Sequence, residues 1–421
     1  MQRAAIAGAL AAALLPGATT ASAKTPLART AAATASPVET FYRARGGRPL
    51  WLAPAAGDAA EQLIRLLSSS EVDGLAKGSF EVGALLVATR AAASGDAQAV
   101  KRAETMLSEA FVAYAAALQS DPRVGVIYVD PELKPAPSKP LEALQRAAQA
   151  PSLAAYISEV GWMNPVYGQL RHALHSSLSE QDRYVLSLNL QRARALPAGA
   201  QRYVLVNTAN QRLYMVENGK VADEMKVVVG RRDAQTPLMN AFIRHAVMNP
   251  YWNVPTDITG RLAPNVLKRG TAYLKQQGYE VVSDFGPGLR VIDAATIDWK
   301  AVAAGKLPVQ MRQLPGPANS MGRIKYMFPN SQGVWLHDTP QRQLFAKSVR
   351  VESAGCVRLE DAWRLGSWLF GRELSLTTEE RERRIDLPAP VPVFITYLTA
   401  VPGQPAVRFI GDVYGRDPPR L

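Results

Sequence analysis

The stretch 201–230, QRYVLVNTANQRLYMVENGKVADEMKVVVG, marks the point at which the sequence changes from a helical to a β pattern. Its apolar residues are largely β-branched or aromatic and fall in short runs, which is typical of strands. Asn218-Gly219 lies between two of these runs and favours a tight hairpin turn, because both residues tolerate a positive φ. We therefore predict that an antiparallel β domain begins near Gln201.

The sequence before this point has a helical pattern. Apolar residues recur at helical spacing between Val100 and Leu118, and the pattern returns at 141–150, around 166–174 and after Ser179. The proline-rich segment 131–140 interrupts it and favours an extended connector. We predict a mostly α-helical domain over residues 37–200.

The sequence after Gly230 continues the β pattern, with one long exception. Further strands are predicted within 242–255, 334–340, 391–398 and 406–415, and Gly, Pro and Asn separate them. Residues 257–320 fit neither pattern well, although 257–278 has helical character. A compact β domain rarely contains so long an irregular connection without a function, so we interpret 257–320 as an insertion. The predicted class is α+β, with an antiparallel or mixed, β-sandwich-like domain over 201–415.

The N-terminus has the pattern of an export signal. A basic start is followed by a short apolar segment and by Ala21-Ser22-Ala23, an A-x-A cleavage site. The apolar segment is too short to span a bilayer, and no later stretch approaches the length of a transmembrane helix. We predict a signal peptide at 1–23, a flexible leader at 24–36 and no transmembrane anchor.

The charge and the residue types of the chain limit the classes of ligand that it is expected to bind. The 421 residues have a formal net charge of +12, but the basic residues are scattered and form no nucleic-acid module, so nucleic acid is not expected. In an exported protein, such a surface is better suited to an anionic envelope. His172 and His175 have a spacing that places them on one helix face, yet no cysteine or acidic partner accompanies them, so no metal or cofactor is expected.

Cys356 is the only cysteine of the chain, which is unusual because exported proteins normally pair their cysteines. It is either a small buried apolar residue or a nucleophile, and a nucleophile needs a base and positive potential nearby. His337 ends the predicted strand GVWLH, before Thr339 as a helix N-cap and Pro340 as a first helical residue. Cys356 precedes a helix predicted to start near Glu360, whose dipole would favour a thiolate. These signals favour a Cys-His acyl-transfer site.

The segment HDTP, followed by SAGCVRL, resembles the signature of the L,D-transpeptidases, which crosslink peptidoglycan. The similarity extends in order through VVVGRRDAQTP, NPYWNVP and PGPANSMGRIKYMFPNSQGVWLHDTP, and covers roughly 203–414. Upstream, FYRARGGRPLWL is similar to the scaffold of the large Gram-negative branch, which also carries a lid-like insertion. The small peptidoglycan-binding domain common in that branch has no counterpart here, because too few residues separate Leu174 from Tyr203.

The resemblance implies roles for individual residues. Cys356 would be the nucleophile and His337 the base, with the carbonyl of Asp338 orienting the imidazole. Backbone N–H groups of Gly355 and Cys356 would bind the oxyanion. Substrate-binding roles are implied for Arg358, Ser353, Tyr326, Trp252 and Asn319, with Tyr251 and Phe328 as further candidates for the groove wall. Two alternatives stay open: Arg358 in an ion pair with Glu360 or Asp361, and the aromatic residues in the core.

The implied activity is a periplasmic peptidoglycan L,D-transpeptidase. Its cysteine would attack the diaminopimelate–D-Ala bond of a tetrapeptide stem, form a thioester and transfer the acyl group to an amine, giving a 3-3 crosslink. The resemblance also implies covalent inhibition by a carbapenem and a lid role for residues 257–320. With water or a lipoprotein lysine as acceptor, the same site would be a carboxypeptidase, an endopeptidase or an anchoring enzyme. A wall-binding scaffold with an inactive site is a further alternative.

Overall fold

The computed structural model describes residues 35–199, 202–375, 379–403 and 407–418. The predicted signal peptide at 1–23 and nearly all of the predicted leader at 24–36 lie outside these residues. Within the described part of the chain, no helix is both long enough and apolar enough to cross a membrane.

The part of the chain before residue 200 is mostly helical. Its α-helices are α1 (Pro37–Ala44), α2 (Ala59–Ser68), α3 (Val82–Ala92), α4 (Ala97–Leu118), α5 (Pro140–Gln149), α6 (Leu153–Ser158), α7 (Pro165–His172) and α8 (Glu180–Ala193). Asp96 caps the longest helix, α4, by accepting a hydrogen bond from the N–H of Ala99. One face of α4 is buried, because Leu107, Phe111 and Tyr114 recur at helical spacing and are inaccessible to solvent.

A buried ionic cluster joins several of these helices. Asp73 is fully buried and accepts hydrogen bonds from the hydroxyls of Tyr114 and Tyr167 at 2.7 and 2.5 Å. The guanidinium of Arg171 lies 2.9 Å from the same carboxylate and also donates to the carbonyl of Leu66. Every charge in this cluster therefore has a partner, which is the condition for burying charges at acceptable cost.

The strands belong to the second part of the chain, except the first strand, which lies between α4 and α5 and pairs within the main sheet. They are β1 (Ile127–Tyr128), β2 (Arg202–Asn207), β3 (Arg212–Glu217), β4 (Lys220–Gly230), β5 (Met239–Met248), β6 (Trp252–Val254), β7 (Tyr279–Val282), β8 (Val291–Ile292), β9 (Gln310–Gln313), β10 (Ile324–Met327), β11 (Leu336–His337), β12 (Val351–Ser353), β13 (Val357–Leu359), β14 (Arg383–Thr396), β15 (Ala400–Val401) and β16 (Arg408–Phe409). The predicted hairpin turn joins β3 to β4, with φ of 50° at Asn218 and 75° at Gly219.

The main sheet closes on itself. Hydrogen-bonded neighbours follow the order β5, β10, β11, β13, β4, β3, β2 and β14, and β14 then pairs with β5. Parallel and antiparallel pairs both occur in this ring. The predicted α+β class is confirmed, and the closed ring removes the open edges that an ordinary sheet exposes.

The two faces of the sheet belong to different cores. Tyr203 and Leu205 of β2 pack against the helices, whereas Val204 and Val206 face the interior of the ring. The helix α12 (Ala362–Phe370) packs Leu365 and Leu369 against the same interior core. Alternation along one strand therefore connects the helical part to the β part through shared apolar surface.

The insertion is a small subdomain with its own core. It contains α9 (Thr256–Arg269), α10 (Ala272–Gln276) and α11 (Trp299–Ala303), together with a four-stranded sheet in the order β6, β9, β7, β8. Val266, Trp299 and Met311 are among its buried residues. The predicted helix over 257–278 agrees with α9 and α10, but the remainder, predicted as irregular, contains the strands β7, β8 and β9 and the helix α11. Its sheet begins at Trp252, before the predicted start.

Candidate active site

Three neighbouring strands bring basic residues onto one face of the sheet. His337 on β11 is paired with Lys325 on β10 and with Arg358 on β13. Directly paired residues point to the same face, so Lys325, His337 and Arg358 form a row across the three strands. The residues that alternate with them, Tyr326 and Leu336, point into the core and are fully buried.

A groove of about 960 Å³ lies over this row. Cys356, directly before β13, lines it together with His337, Lys325 and Arg358. The subdomain and its flanks supply further lining residues, including Tyr251, Trp252, Asn253, Asp257, Ile258, Arg261, Ser320 and Met321. The groove is therefore bounded by the main sheet and by the insertion.

The imidazole of His337 is held in one orientation. Its Nδ1 lies 2.5 Å from the carbonyl oxygen of Asp338, so Nδ1 carries the hydrogen and Nε2 keeps its lone pair. The Asp338 carboxylate is itself fixed by the N–H of Arg323 and by the guanidinium of Arg342, at 2.9 and 2.7 Å. Burial lowers the pKa of His337 to about 3, and the charge of Arg358 contributes to this shift. The imidazole is therefore neutral at physiological pH.

The thiol of Cys356 is also neutral in the free protein. Its Sγ lies 3.5 Å from the carbonyl oxygen of Gly333, to which the thiol donates. Burial raises the pKa of Cys356, whereas the N–H of Trp335 and the charge of Arg358 lower it. The helix predicted near Glu360 is α12, which begins at Ala362, but the strand β13 separates its N-terminus from Cys356. The helix start agrees with the prediction, whereas the expected closeness of the thiol to the helix N-terminus is not observed.

Ser353 fixes the turn that carries the thiol. Its hydroxyl donates to the carbonyl of Cys356 at 2.5 Å and accepts from the N–H of Gly355 at 3.1 Å. Gly355 has a φ of 114°, which disfavours any side chain. The Gly355 N–H, predicted as an oxyanion donor, is thus engaged by Ser353 in the free protein. Ser353 also lines the groove, so its predicted substrate contact stays a prediction, although its hydroxyl is used within the turn.

Arg358 faces the groove without an acidic partner of its own. Its Nη1 donates to Gln341, and its buried Nε has no hydrogen-bond partner among the described residues. Glu360 lies 3.9 Å from Lys226, and Asp361 caps α12 through the N–H of Arg364. The alternative of an ion pair between Arg358 and either acid is therefore not observed.

Three of the predicted groove residues are structural. Tyr326 and Phe328 are fully buried, and the Tyr326 hydroxyl donates to the carbonyl of Ala362 at 2.6 Å. The side chain of Asn319 is buried, donates to the carbonyl of Pro250 at 2.9 Å and accepts from the N–H of Met321 at 2.7 Å. These predictions are corrected: Tyr326 lies on the core face of β10, Phe328 follows that strand and is buried, and Asn319 anchors the return of the insertion.

Other predicted residues do line the groove. Trp252 and Tyr251 are half-buried in its wall.

The helix predicted after Pro340 is a short 3-10 helix over Arg342–Ala346, and Thr339 accepts from the N–H of Gln341 instead of capping an α-helix.

Sequence reasoning missed Lys325 and Met327, which line the groove between the buried residues of β10. Side chains along β10 alternate between the two faces of the sheet, so assigning the paired His337 to the groove face also assigns Lys325 and Met327 to it.

Comparison with known proteins agrees with this architecture. Residues 201–373 match the model of the YkuD L,D-transpeptidase catalytic domain, and residues 36–174 match that of the Scaffold domain. A curated Haemophilus influenzae protein named "Putative L,D-transpeptidase" is 30% identical over 239 residues, which cover 55% of this chain and 48% of that protein. The chain thus spans about half the length of this relative.

Solved structures give weaker similarities. An L,D-transpeptidase from Mycobacterium smegmatis is 10% identical, with a TM-score of 0.23, over 47% of this chain and 59% of that one. The C442S mutant of the Enterococcus faecium L,D-transpeptidase is 14% identical, with a TM-score of 0.22, over 48% of this chain and 52% of that one. The two family models therefore assign residues 201–373 to the YkuD L,D-transpeptidase catalytic domain and residues 36–174, before it, to the Scaffold domain.

Proposed function

We propose that this protein is a peptidoglycan L,D-transpeptidase that uses Cys356 as nucleophile and His337 as general base. The observation that carries the proposal is the shared groove: Cys356 and His337 both line it, and the Asp338 carbonyl holds the imidazole with Nε2 unprotonated. A nucleophile, a base and a group that orients the base are the elements of a cysteine acyl-transfer site.

In the first half of the reaction, the thiol attacks the carbonyl of diaminopimelate in a tetrapeptide stem. The Cys356 proton passes to Nε2 of His337, a C–S bond forms, and the tetrahedral intermediate carries the negative charge. When this intermediate collapses, the C–N bond to the terminal D-Ala breaks, and the leaving amine takes the proton from His337. The product is a thioester, with the acyl group on Cys356 and free D-Ala released.

In the second half, an amine of another stem attacks the thioester. His337 accepts the proton of the amine, the C–N bond forms and the C–S bond breaks, and the thiol is restored by the proton from His337. The new 3-3 crosslink needs no external energy, because the thioester conserves that of the original peptide bond.

The two pKa shifts favour proton transfer during the attack over a preformed ion pair. Burial lowers the pKa of His337 and raises that of Cys356, so the resting pair is neutral thiol and neutral imidazole. Thiols are oxidised mainly as thiolates, so a neutral resting state protects an unpaired cysteine in an oxidising compartment.

The backbone around the nucleophile would stabilise the oxyanion. The N–H of Cys356 is the donor we assign, since the N–H of Gly355 is engaged by Ser353. Removing one such donor typically costs about 3 kcal/mol of transition-state stabilisation. Ser353 therefore acts as a positioning residue for the turn.

We further propose that the protein is exported to the periplasm of a Gram-negative bacterium and that the insertion closes over the groove as a lid. The subdomain contributes the wall formed by Trp252, Asp257 and Arg261, so its movement would open or cover Cys356. Excluding water would favour an amine over hydrolysis as the acceptor of the acyl group.

The test is incubation of the purified protein with tetrapeptide muropeptides, followed by mass analysis of the products. Crosslinked dimers without the terminal D-Ala of the donor would support the transpeptidase, and tripeptide monomers would identify a carboxypeptidase. Attachment to a lysine-bearing lipoprotein peptide would identify an anchoring enzyme. Unchanged tetrapeptides would contradict an acyl-transfer function and favour a wall-binding scaffold.

A further inference from the structure

Lys325 and Glu382 form an ion pair in the groove whose N–O distance is longer than those of the other ion pairs there. Lys325 Nζ lies 3.5 Å from Glu382 Oε1, beyond the usual length of a charge-assisted hydrogen bond. Of the other acidic and basic groups that line the groove, Arg358 forms no ion pair among the described residues, and the rest form closer pairs: Arg261–Asp257, Arg231–Asp233 and Glu352–Lys347. The pair of Lys325 and Glu382 is therefore the loosest of these.

Lys325 is unusually enclosed for a lysine in such a loose pair. Only 15% of its side chain is exposed. Its strand partner is His337, so its side chain leaves the sheet on the face of the base, with the two Cα atoms about 5 Å apart. A desolvated ammonium gains strongly from a carboxylate that enters its site.

Glu382 is fixed in place by the backbone. Its Oε1 accepts the N–H of Tyr251 at 2.7 Å, and its own N–H donates to the carbonyl of Asn249 at 3.0 Å. Glu382 has a φ of 55°, a conformation that residues with a side chain rarely adopt. Such conformations persist where surrounding contacts enforce them, as is common at ligand sites.

We propose that Lys325 and Glu382 form a subsite for the charged end of the diaminopimelate side chain. That end carries an amino group and a carboxylate on one carbon, so it matches an ammonium and a carboxylate placed side by side. Lys325 binds the substrate carboxylate, Glu382 binds the substrate amine, and the loose pair separates to admit both. The proposal rests on the proposed function, because that function supplies the substrate.

This subsite determines which stems the enzyme accepts. A stem whose side-chain carboxylate is amidated would leave Lys325 without its ligand, and the buried ammonium would lose the compensation that the free acid provides. Lys325 and Glu382 take no part in bond making or bond breaking at Cys356, so they affect substrate binding before they affect the chemical step.

The first experiment measures binding and does not depend on turnover. Cys356→Ala protein is titrated by calorimetry with tetrapeptide stems whose diaminopimelate carboxylate is either free or amidated. We expect the free stem to bind about tenfold more tightly, since a charge-assisted hydrogen bond contributes on that scale. Adding Lys325→Met should abolish this preference, whereas Lys325→Arg should retain it because the charge remains.

Glu382→Gln provides the matching test for the amine. It should weaken binding of the free stem and leave binding of a stem with an acetylated side-chain amine unchanged. Lys306→Met, on the exposed surface of the insertion, is the control and should alter neither preference. Thermal midpoints verify that each variant is folded.

Equal binding of free and amidated stems, or a preference that survives Lys325→Met, would overturn the subsite. The proposed function has a separate readout, which is the formation of crosslinked dimers by protein with Cys356 intact. Lost selectivity with preserved dimer formation would reject only the subsite, whereas selective binding without any turnover would reject only the transpeptidase.

Discussion

Two buried polar centres of this protein differ in how completely their groups are paired. In the helical part, Asp73 is surrounded by Arg171, Tyr114 and Tyr167, and each of these groups bonds to the carboxylate. In the groove, the buried Nε of Arg358 has no partner among the described residues, and His337 and Cys356 are both neutral. A saturated centre stabilises the fold, whereas an unsaturated one leaves bonding capacity for a ligand.

The largest expected effect is at the nucleophile. Cys356→Ala should reduce crosslinking by about 10⁴-fold or more, because removal of a catalytic nucleophile leaves only binding and oxyanion effects. Intact-protein mass should rise by one carbapenem molecule in the parent protein and not in the variant. A carbapenem adduct on both proteins would show that another residue is the nucleophile.

Substitutions in the buried cluster around Asp73 should lower the stability of the protein and leave its catalytic activity unchanged. Asp73→Asn removes the charge that pairs with buried Arg171, so we expect a loss of about 3–5 kcal/mol in the free energy of unfolding. Urea unfolding measures this change, and activity per folded molecule should stay near the parent value. Asp58→Asn is the matched control, because its ion pair with Arg65 is largely exposed and should contribute little. Equal stability of the two variants would contradict the comparison.

The fold was more predictable than the site. Asn218-Gly219 specified its hairpin turn through local chemistry, and the change of period near Gln201 separated the helices from the strands. By contrast, closure of the sheet depends on the long strand β14, whose first half carries prolines that argue against a strand. The structure accommodates Pro388 and Pro390 within an irregularity between Asp386 and Val391. This irregularity becomes apparent only from the pairing of β14 with β5, which is distant in sequence.

Site residues that belong to a sequence motif were predicted. Site residues that depend on which face of a strand they occupy were missed. Cys356 and His337 were identified from sequence, and both line the groove. The sequence motif indicated Tyr326 and gave no role to Lys325, although adjacent residues of a strand face opposite sides and one position decides between core and groove. The engaged N–H of Gly355 was also unpredictable, since it depends on the rotamer of Ser353.

The pH dependence tests the neutral state of the groove. The pKa of His337 is about 3 in the folded protein, against an ordinary value near 6.5, so the base stays unprotonated through mildly acidic pH. We expect the rate of carbapenem acylation to show no loss centred near pH 6.5. A clear inflection there would indicate that the imidazole titrates normally.

The same shift has a consequence for stability. Below pH 6.5 the unfolded chain binds a proton at His337 that the folded protein does not, so acid favours unfolding until the folded pKa is reached. The stability of the parent relative to His337→Gln should therefore fall as pH decreases from 6.5 towards 3. His175→Gln, which removes an exposed imidazole, is the control. A stability difference independent of pH would contradict the assigned shift.

The smallest expected effect concerns the connection between the groove and the insertion. The guanidinium of Arg312 on β9 lies 4.3 Å from the ring centre of Tyr251, and Arg312 also pairs with Glu280 on β7 at 2.9 Å. These contacts fasten the subdomain to the strand end beside Glu382. Cation–π contacts contribute about 0.5–1 kcal/mol at partly exposed sites, so Arg312→Met should loosen the subdomain without unfolding it.

Hydrogen exchange measures that loosening. If the insertion is a lid, exchange within 257–320 should slow when a carbapenem or stem peptide occupies Cys356, and Arg312→Met should reduce the slowing. The variant should also shift products modestly from dimers towards tripeptides, because water reaches the thioester more often. Arg269→Met, which breaks a cation–π contact with Tyr273 inside the subdomain, is the matched control and should leave the product ratio unchanged. Exchange that is the same before and after acylation would mean that the subdomain is a static wall of the groove.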